Sequence, residues 1–304
     1  MHRSSHSQGN HQHPGSDNHG RAFVIAIVLN ITFVVVEFTY GFIANSTALM
    51  ADAGHNLSDV LGLALAAGAS ILARKAANER YTYGLRSSSI LAALANAMLL
   101  LIACGAIAWE AVQRFLQPPV VAGLTVTLVA VIGVIINGFS AWLFMKGSKG
   151  DLNIRGAYLH MAADAAVSAG VVIAGIAMIF TGWYWLDPAV SLLIVGVVIM
   201  STWGLLRDSV QLALSAVPPH IEMSAIDAYL RDQPGVTDIH DLHIWGLSTT
   251  ESALTVHLVM PCGYPGDAFM DDIRETLNTR FSVHHSTIQI EQGATRHACS
   301  LEDT

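Results

Sequence analysis

Hydrophobic and polar positions divide the chain into three stretches of different character. Residues 1–20 are polar throughout, with Gly, Ser, Asn, Gln and His dominant and no apolar run. That pattern predicts a disordered tail without a cleavable signal segment, because nothing in it can bury a core. From Ala22 the chain turns apolar, and six stretches follow at roughly 22–43, 47–73, 87–116, 120–146, 156–181 and 185–207. Each is long enough for a helix across a bilayer core of ~30 Å, which takes about 20 residues. Polar or Pro-containing breaks separate them: Asn45-Ser46, Arg74 to Arg86, Pro118-Pro119, Lys146 to Asp151, and Gly182 to Trp185. Beyond Pro218-Pro219 the periods shorten. Residues 222–232 predict an amphipathic helix, 236–247 and 252–260 strands, 267–281 a second helix and 285–291 a third strand. The order α-β-β-α-β predicts a small α+β domain. The expected fold is therefore an all-α membrane domain of six transmembrane helices at 21–208, with a small cytoplasmic α+β domain at 209–304.

Composition agrees with lipid as the main solvent. The chain is 53% hydrophobic and 12% charged, whereas soluble domains carry about 25% charged residues. The net charge of −8 argues against a nucleic-acid partner. Three scattered cysteines, Cys104, Cys262 and Cys299, make neither a disulfide framework nor a zinc ribbon. Basic residues set the topology. Arg74, Lys75, Arg80 and Arg86 fall in one loop, and Lys146, Lys149 and Arg155 in another, both on the side of Arg21 and Arg207. The positive-inside rule places that side, and both termini, in the cytoplasm. Trp183, Tyr184 and Trp185 suit the opposite membrane interface.

The apolar helices contain ionisable residues, each of which needs a reason to be there. An Asp at a helix centre costs about 2.5–3.5 kcal/mol on insertion scales. The second stretch carries Asp52, His55 and Asp59, and the fifth carries His160 and Asp164. His55/Asp59 and His160/Asp164 share the spacing His-x-x-x-Asp, which puts both side chains of a pair on one helical face. Two such helices facing one another offer two nitrogen and two oxygen donors, a tetrahedral set suited to Zn²⁺. Octahedral oxygen shells would favour Mn²⁺ or Mg²⁺, and thiolates Cu(I). The other reading of the same residues is a pair of structural ion pairs that staple helices. Asp52, three residues before His55, is expected to orient an imidazole from outside the ligand set. Glu37 reads either as a proton relay or as a hydrogen-bonding partner of a neighbouring helix. The tail histidines His2, His6, His11, His13 and His19 read either as a metal-scavenging tract or as a solvated tail.

Residues 46–59, STALMADAGHNLSD, resemble the second-helix signature of the cation diffusion facilitator family. RYTYG at 80–84 resembles the entry to the third helix in its zinc-type branch, and His160 with Asp164 resembles the fifth-helix half of its site. The resemblance runs from about residue 20 to the end. It implies a homodimeric antiporter that exchanges cytoplasmic Zn²⁺, and in some members Cd²⁺, Co²⁺ or Ni²⁺, for H⁺ across a bacterial inner membrane. It also implies a ferredoxin- or metallochaperone-like C-terminal domain that senses Zn²⁺ as a regulatory ligand. His240, His257 and Glu291 match metal-binding positions of that domain, with His243, His284, His285, His297 and Cys299 as further candidates. Asn78, Tyr81 and Leu85 stand where some bacterial members carry Asp and His ligands, so a metal site in that loop is not expected. A membrane metallohydrolase would need an added general base, such as the Glu of His-Glu-x-x-His, and no such motif is present. A membrane metal sensor without transport is the remaining alternative.

Overall fold

The computed structural model describes residues 16–145 and 152–293. Six long helices come first: α1 (Ser16–Ile43), α2 (Thr47–Ala73), α3 (Ser88–Leu116), α4 (Gly123–Met145), α5 (Leu152–Thr181) and α6 (Leu186–Ala213). Then follow α7 (Met223–Arg231), β1 (Asp238–Gly246), β2 (Ser252–Val259), α8 (Asp267–Phe281) and β3 (His285–Glu291). Helix α1 starts at Ser16 rather than at 22, on Ser and Asp residues that suit a helix N-terminus. Helix α6 runs six residues past Arg207, through a mixed polar and apolar stretch with no Gly or Pro to stop it.

Among the described residues, four segments are long and apolar enough to cross a membrane: Ser88–Leu116, Gly123–Met145, Tyr158–Thr181 and Leu186–Ala213. The apolar stretch Val28–Ile43 of α1 is shorter. Helix α2 threads Asp52, His55, Asn56, Ser58 and Asp59 through its first half. The distribution of polarity is inverted relative to a water-soluble bundle. Phe180, Met200, Leu193 and Trp109 face outward, whereas Asn30, Glu37, Asp52, Asn56, Asn137, Asp164 and Asp187 are buried. Outward apolar and inward polar side chains are what a lipid environment selects.

The chain forms two units. One comprises the residues up to Val60 with Ile102–Val198, and the other Leu61–Leu101 with everything from Ile199 onward. In the first, α4 packs along α5 and α1 packs on α4. A close approach falls at Gly133, where a Cβ would lie 2.7 Å from Phe33 Cζ and 3.0 Å from Ser168 Oγ. Small residues permit such contacts between membrane helices. The α1–α2 turn, with Asn45 at φ 59°, is bound to the start of α6. The buried Asp187 accepts hydrogen bonds from Ser46 Oγ, from Thr47 N at 2.6 Å and from Thr47 Oγ1 at 2.8 Å. Arg114 donates to the Asn45 carbonyl at 2.6 Å and to Glu110 at 2.8 Å.

In the second unit, β1 pairs antiparallel with β2, and β2 pairs parallel with β3, giving the order β1-β2-β3. Leu254, Val256 and Leu258 of the central strand alternate onto one face and are buried with Ile226 and Leu230 of α7 and Ile273 and Leu277 of α8. That leaves His257 on the opposite face, since side chains alternate along a strand. Register places His240 opposite His257 on one side and Gln289 on the other, with Glu291 two residues further along β3 on the same face. Between His240 and His243 the β1 register slips, and Asp241 sits at φ 53°. Within this unit the start of α3 is also tied to the 247–251 turn. Arg86 pairs with Glu251, and Thr249 N donates to Ser89 Oγ at 3.1 Å.

The contact at Gly133 makes a direct prediction. Gly133→Ala forces the buried Phe33 ring and the Ser168 hydroxyl to shift, an overpacking that costs ~1–3 kcal/mol. Thermal unfolding of the purified protein in detergent should show a lower midpoint than wild type, whereas Gly138→Ala, where a Cβ meets open space, should leave it unchanged.

Candidate metal centre

Two helices build the first cluster. His55 and Asp59 lie one turn apart on α2, and His160 and Asp164 one turn apart on α5. The same-face spacing turns both pairs toward each other, and the four contacts alternate within and between helices. His160 Nε2 is 3.2 Å from Asp59 Oδ2 and 3.7 Å from Asp164 Oδ2. His55 Nε2 is 3.5 Å from Asp164 Oδ1 and 3.8 Å from Asp59 Oδ2. The imidazoles meet edge-on, with centroids 6.1 Å apart. One ligand atom from each of Asp59, His160 and Asp164 falls within 4.8 Å of the others. Asp164 is buried and the other three are partly so.

Hydrogen bonding leaves work for a cation here. Asp59 Oδ2 and Asp164 Oδ2 are buried and make no hydrogen bond among the described residues, and His55 Nδ1 is in the same position. Buried carboxylate oxygens without a donor are costly. A divalent cation at the common point satisfies both oxygens at once, and it takes nitrogen and carboxylate donors at about 2.0–2.2 Å when it is Zn²⁺.

A polar layer backs this cluster. Asp52 is fully buried and accepts a hydrogen bond from Ser168 Oγ of α5 at 3.0 Å. Glu37 of α1, also fully buried, accepts from Asn56 Nδ2 at 3.4 Å. One oxygen of each acid, Asp52 Oδ1 and Glu37 Oε1, has no hydrogen bond among the described residues. Asp52 therefore reaches across to α5 through Ser168, a contact that its position in the sequence did not reveal. Asn56, next to His55, thus ties Glu37 of α1 to α2.

The second cluster lies on the outer face of the C-terminal sheet. His240 Nε2 is 3.2 Å from Glu291 Oε2, and His257 Nδ1 is 2.9 Å from Glu291 Oε1. The two rings are 4.9 Å apart, and the three residues bring ligand atoms within 4.8 Å of one another. His257 Nδ1 is buried without a hydrogen bond, although it faces that carboxylate oxygen. A bare imidazole nitrogen and a carboxylate oxygen are both acceptors, so a cation or a proton between them is what makes the pair favourable. Burial alone would push the Glu291 carboxyl up. Hydrogen bonds from His240 and Gln289 outweigh it and hold the group below the usual range. The donor set of two imidazoles and a carboxylate fits Zn²⁺.

The other candidates lie elsewhere. His243 Nε2 pairs with Asp241 at 2.8 Å. His284 Nδ1 accepts from the Ser252 amide at 3.3 Å, and the His285 ring meets Tyr83 edge-on at 5.7 Å. His2, His6, His11, His13, His297 and Cys299 fall outside the described residues, and His19 lies in the first turns of α1. Asp187, Ser168 and Asp241 were not singled out from the sequence. Asp187, just inside a helix start, carried the one usable signal.

The family described as "Cation efflux transmembrane domain" matches residues 23–212. The one described as "Cation efflux protein, cytoplasmic domain" matches residues 218–293. The chain is 36% identical over 282 residues to the metal cation efflux system protein CzcD of Cupriavidus metallidurans, covering 92% of this chain and 89% of that one. It is 35% identical over 282 residues to the cadmium, cobalt and zinc/H(+)-K(+) antiporter of Bacillus subtilis, covering 91% and 90%. It is 35% identical over 287 residues to the zinc transporter ZitB of Escherichia coli, covering 92% and 91%. With both family matches in sequence order and spanning nearly all of the described residues, the chain belongs to the cation efflux family.

Proposed function

We propose that this protein exports Zn²⁺ from the cytoplasm in exchange for protons, binding the ion at His55, Asp59, His160 and Asp164. The observation that carries the reading is the convergence of four donors from two buried helices, with cross-helix distances of 3.2 and 3.5 Å. The names of the relatives support zinc as cargo and proton coupling as the drive. They also support Cd²⁺ and Co²⁺ as further cargo, and we extend the proposal to Ni²⁺. In this reading α1–α6 all cross the bacterial inner membrane, with both termini cytoplasmic, and the protein works as a homodimer. It is a secondary transporter, not an enzyme.

Coupling follows from the ligand chemistry. Imidazole nitrogen and carboxylate oxygen bind a metal only when deprotonated, so metal and protons compete for the same lone pairs. Facing the cytoplasm, the site takes Zn²⁺. Facing the other side, it releases the ion as protons enter, and histidine, with an ordinary pKa near 6.5, is the natural competitor. The protons then return inward with the empty site. A membrane potential contributes ~2.3 kcal/mol per charge per 100 mV, so entry of two or more protons per Zn²⁺ removes any electrical penalty on export. Asp52, held by Ser168, orients the site from outside the ligand set. His240, His257 and Glu291 form a regulatory Zn²⁺ site that strengthens association of two C-terminal domains and favours transport.

Three measurements test this reading. In proteoliposomes with a pH gradient, Zn²⁺ uptake should depend on the gradient, and Asp59→Ala should abolish it. Equal uptake in both would move the transport site elsewhere, and uptake in neither would favour a sensor. Asp52→Asn should weaken Zn²⁺ binding about 10- to 100-fold, the usual effect of losing such a supporting partner; unchanged affinity would remove Asp52 from the mechanism. His240→Ala should lower flux at limiting Zn²⁺ and leave it near wild type at saturating Zn²⁺. An unaltered concentration dependence would argue against the regulatory site.

A further inference from the structure

We infer that Asp241 is a positioning residue for the C-terminal metal site: its carboxylate holds Nε2–H of His257, which leaves Nδ1 of that ring bare toward His240 and Glu291, while His243 holds Asp241 in turn. The inference rests on the reading of His240, His257 and Glu291 as a metal site.

Neutral imidazole carries one N–H, and a metal can bind only the other nitrogen. Which nitrogen is bare is set by the partner of its opposite number, and in metal sites that partner is commonly a carboxylate. Here the two nitrogens of His257 have different neighbours. Nδ1 faces Glu291 Oε1 at 2.9 Å, on the side of His240, and Nε2 faces Asp241 Oδ2 at 3.5 Å. The lone-pair directions of the two nitrogens diverge, so a carboxylate at Nε2 is out of reach of an ion at Nδ1. Asp241 therefore serves the ring rather than the ion. A cation at Nδ1 withdraws electron density from the ring and strengthens the N–H donated at Nε2, which draws the 3.5 Å contact closer.

The backbone is bent to make this contact. In a regular strand Asp241 would point away from the face that holds His240. The register slip between His240 and His243 and the left-handed φ of 53° at Asp241 break that alternation. A bulge re-aims a side chain in this way, and Asp is among the few residue types that enter the left-handed region readily. The carboxylate so delivered is used at both oxygens, since Oδ1 takes His243 Nε2 at 2.8 Å. His243, a candidate ligand by sequence, thereby becomes the outer end of a chain His243–Asp241–His257.

The test uses full-length protein in detergent carrying Asp59→Ala to silence the membrane site, with Co²⁺ as the probe, titrated by its visible d–d absorption. The parent should bind Co²⁺, and His257→Ala should abolish binding. Asp241→Gly, which accepts the left-handed backbone without strain, should weaken binding about 10- to 100-fold. The shape of the bands and the metal-free melting temperature should stay unchanged. Asp241→Asn keeps the backbone preference and one acceptor oxygen, so its loss should fall between parent and Gly. Unchanged affinity in both Asp241 variants would overturn the inference. Altered band shape would overturn it too, by making Asp241 a ligand. A parent that binds no Co²⁺, or one in which His257→Ala binds as before, would overturn the site reading and this inference with it.

Discussion

A carboxylate cannot stand alone in a low-dielectric interior, and the membrane part of this protein is organised around that constraint. Asp59 and Asp164 each lie against two imidazoles, and each imidazole lies between the two carboxylates. Removing any one member leaves two neighbours with one partner each instead of two, and breaking up a buried charge cluster in this way is destabilising. The cluster is also incomplete in a specific way, because carboxylate oxygens remain without donors. Helices that enclose such a cluster fold most favourably when something positive is bound, either a metal ion or protons. Under the proposed function, structure and transport cycle draw on the same deficit.

The C-terminal domain solves a related problem in water. Its core is ordinary, with Leu254, Val256 and Leu258 of β2 closed by α7 and α8. The chemistry lies on the other face, where strand pairing fixes His240 against His257 and brings Glu291 alongside. Pairing alone yields the three donors, and a local break in pairing adds Asp241. Both sites use imidazole and carboxylate, but helix periodicity assembles one and strand register the other.

Much of this was legible beforehand, for definable reasons. The i,i+4 repeat of His and Asp in two apolar segments carries its geometry with it, so the convergence of His55, Asp59, His160 and Asp164 followed from spacing and hydropathy. The positions of β2, β3 and α8 agree with expectation within a residue, because their alternation and their flanking Gly and Pro residues are strong signals. Legibility failed where tertiary contact or backbone irregularity decides. Ser168 is one small polar residue in an apolar helix until Asp52 arrives from 116 positions away. Gly133 looks like any membrane glycine until the Phe33 ring lies over it. Under strict alternation Asp241 reads as pointing toward the core face, away from His240, and only the bulge reverses that. The histidines at 284 and 285 show the opposite failure: proximity in sequence to Glu291 does not place them beside it, since His284 is used by the Ser252 amide and His285 by Tyr83.

The pin at Asp187 has a mechanical consequence. It fastens the beginning of α2, through Ser46 and Thr47, to the beginning of α6. At ~1.5 Å of rise per residue, His55 lies about 12 Å and Asp59 about 18 Å along α2 from Thr47. A rigid helix that swings about a fixed end moves each point in proportion to its distance from that end. A tilt of α2 therefore displaces Asp59 half as far again as His55, so the carboxylate parts from α5 before the imidazole does. The ligand sphere opens like a hinged jaw, widest at the end remote from the pivot.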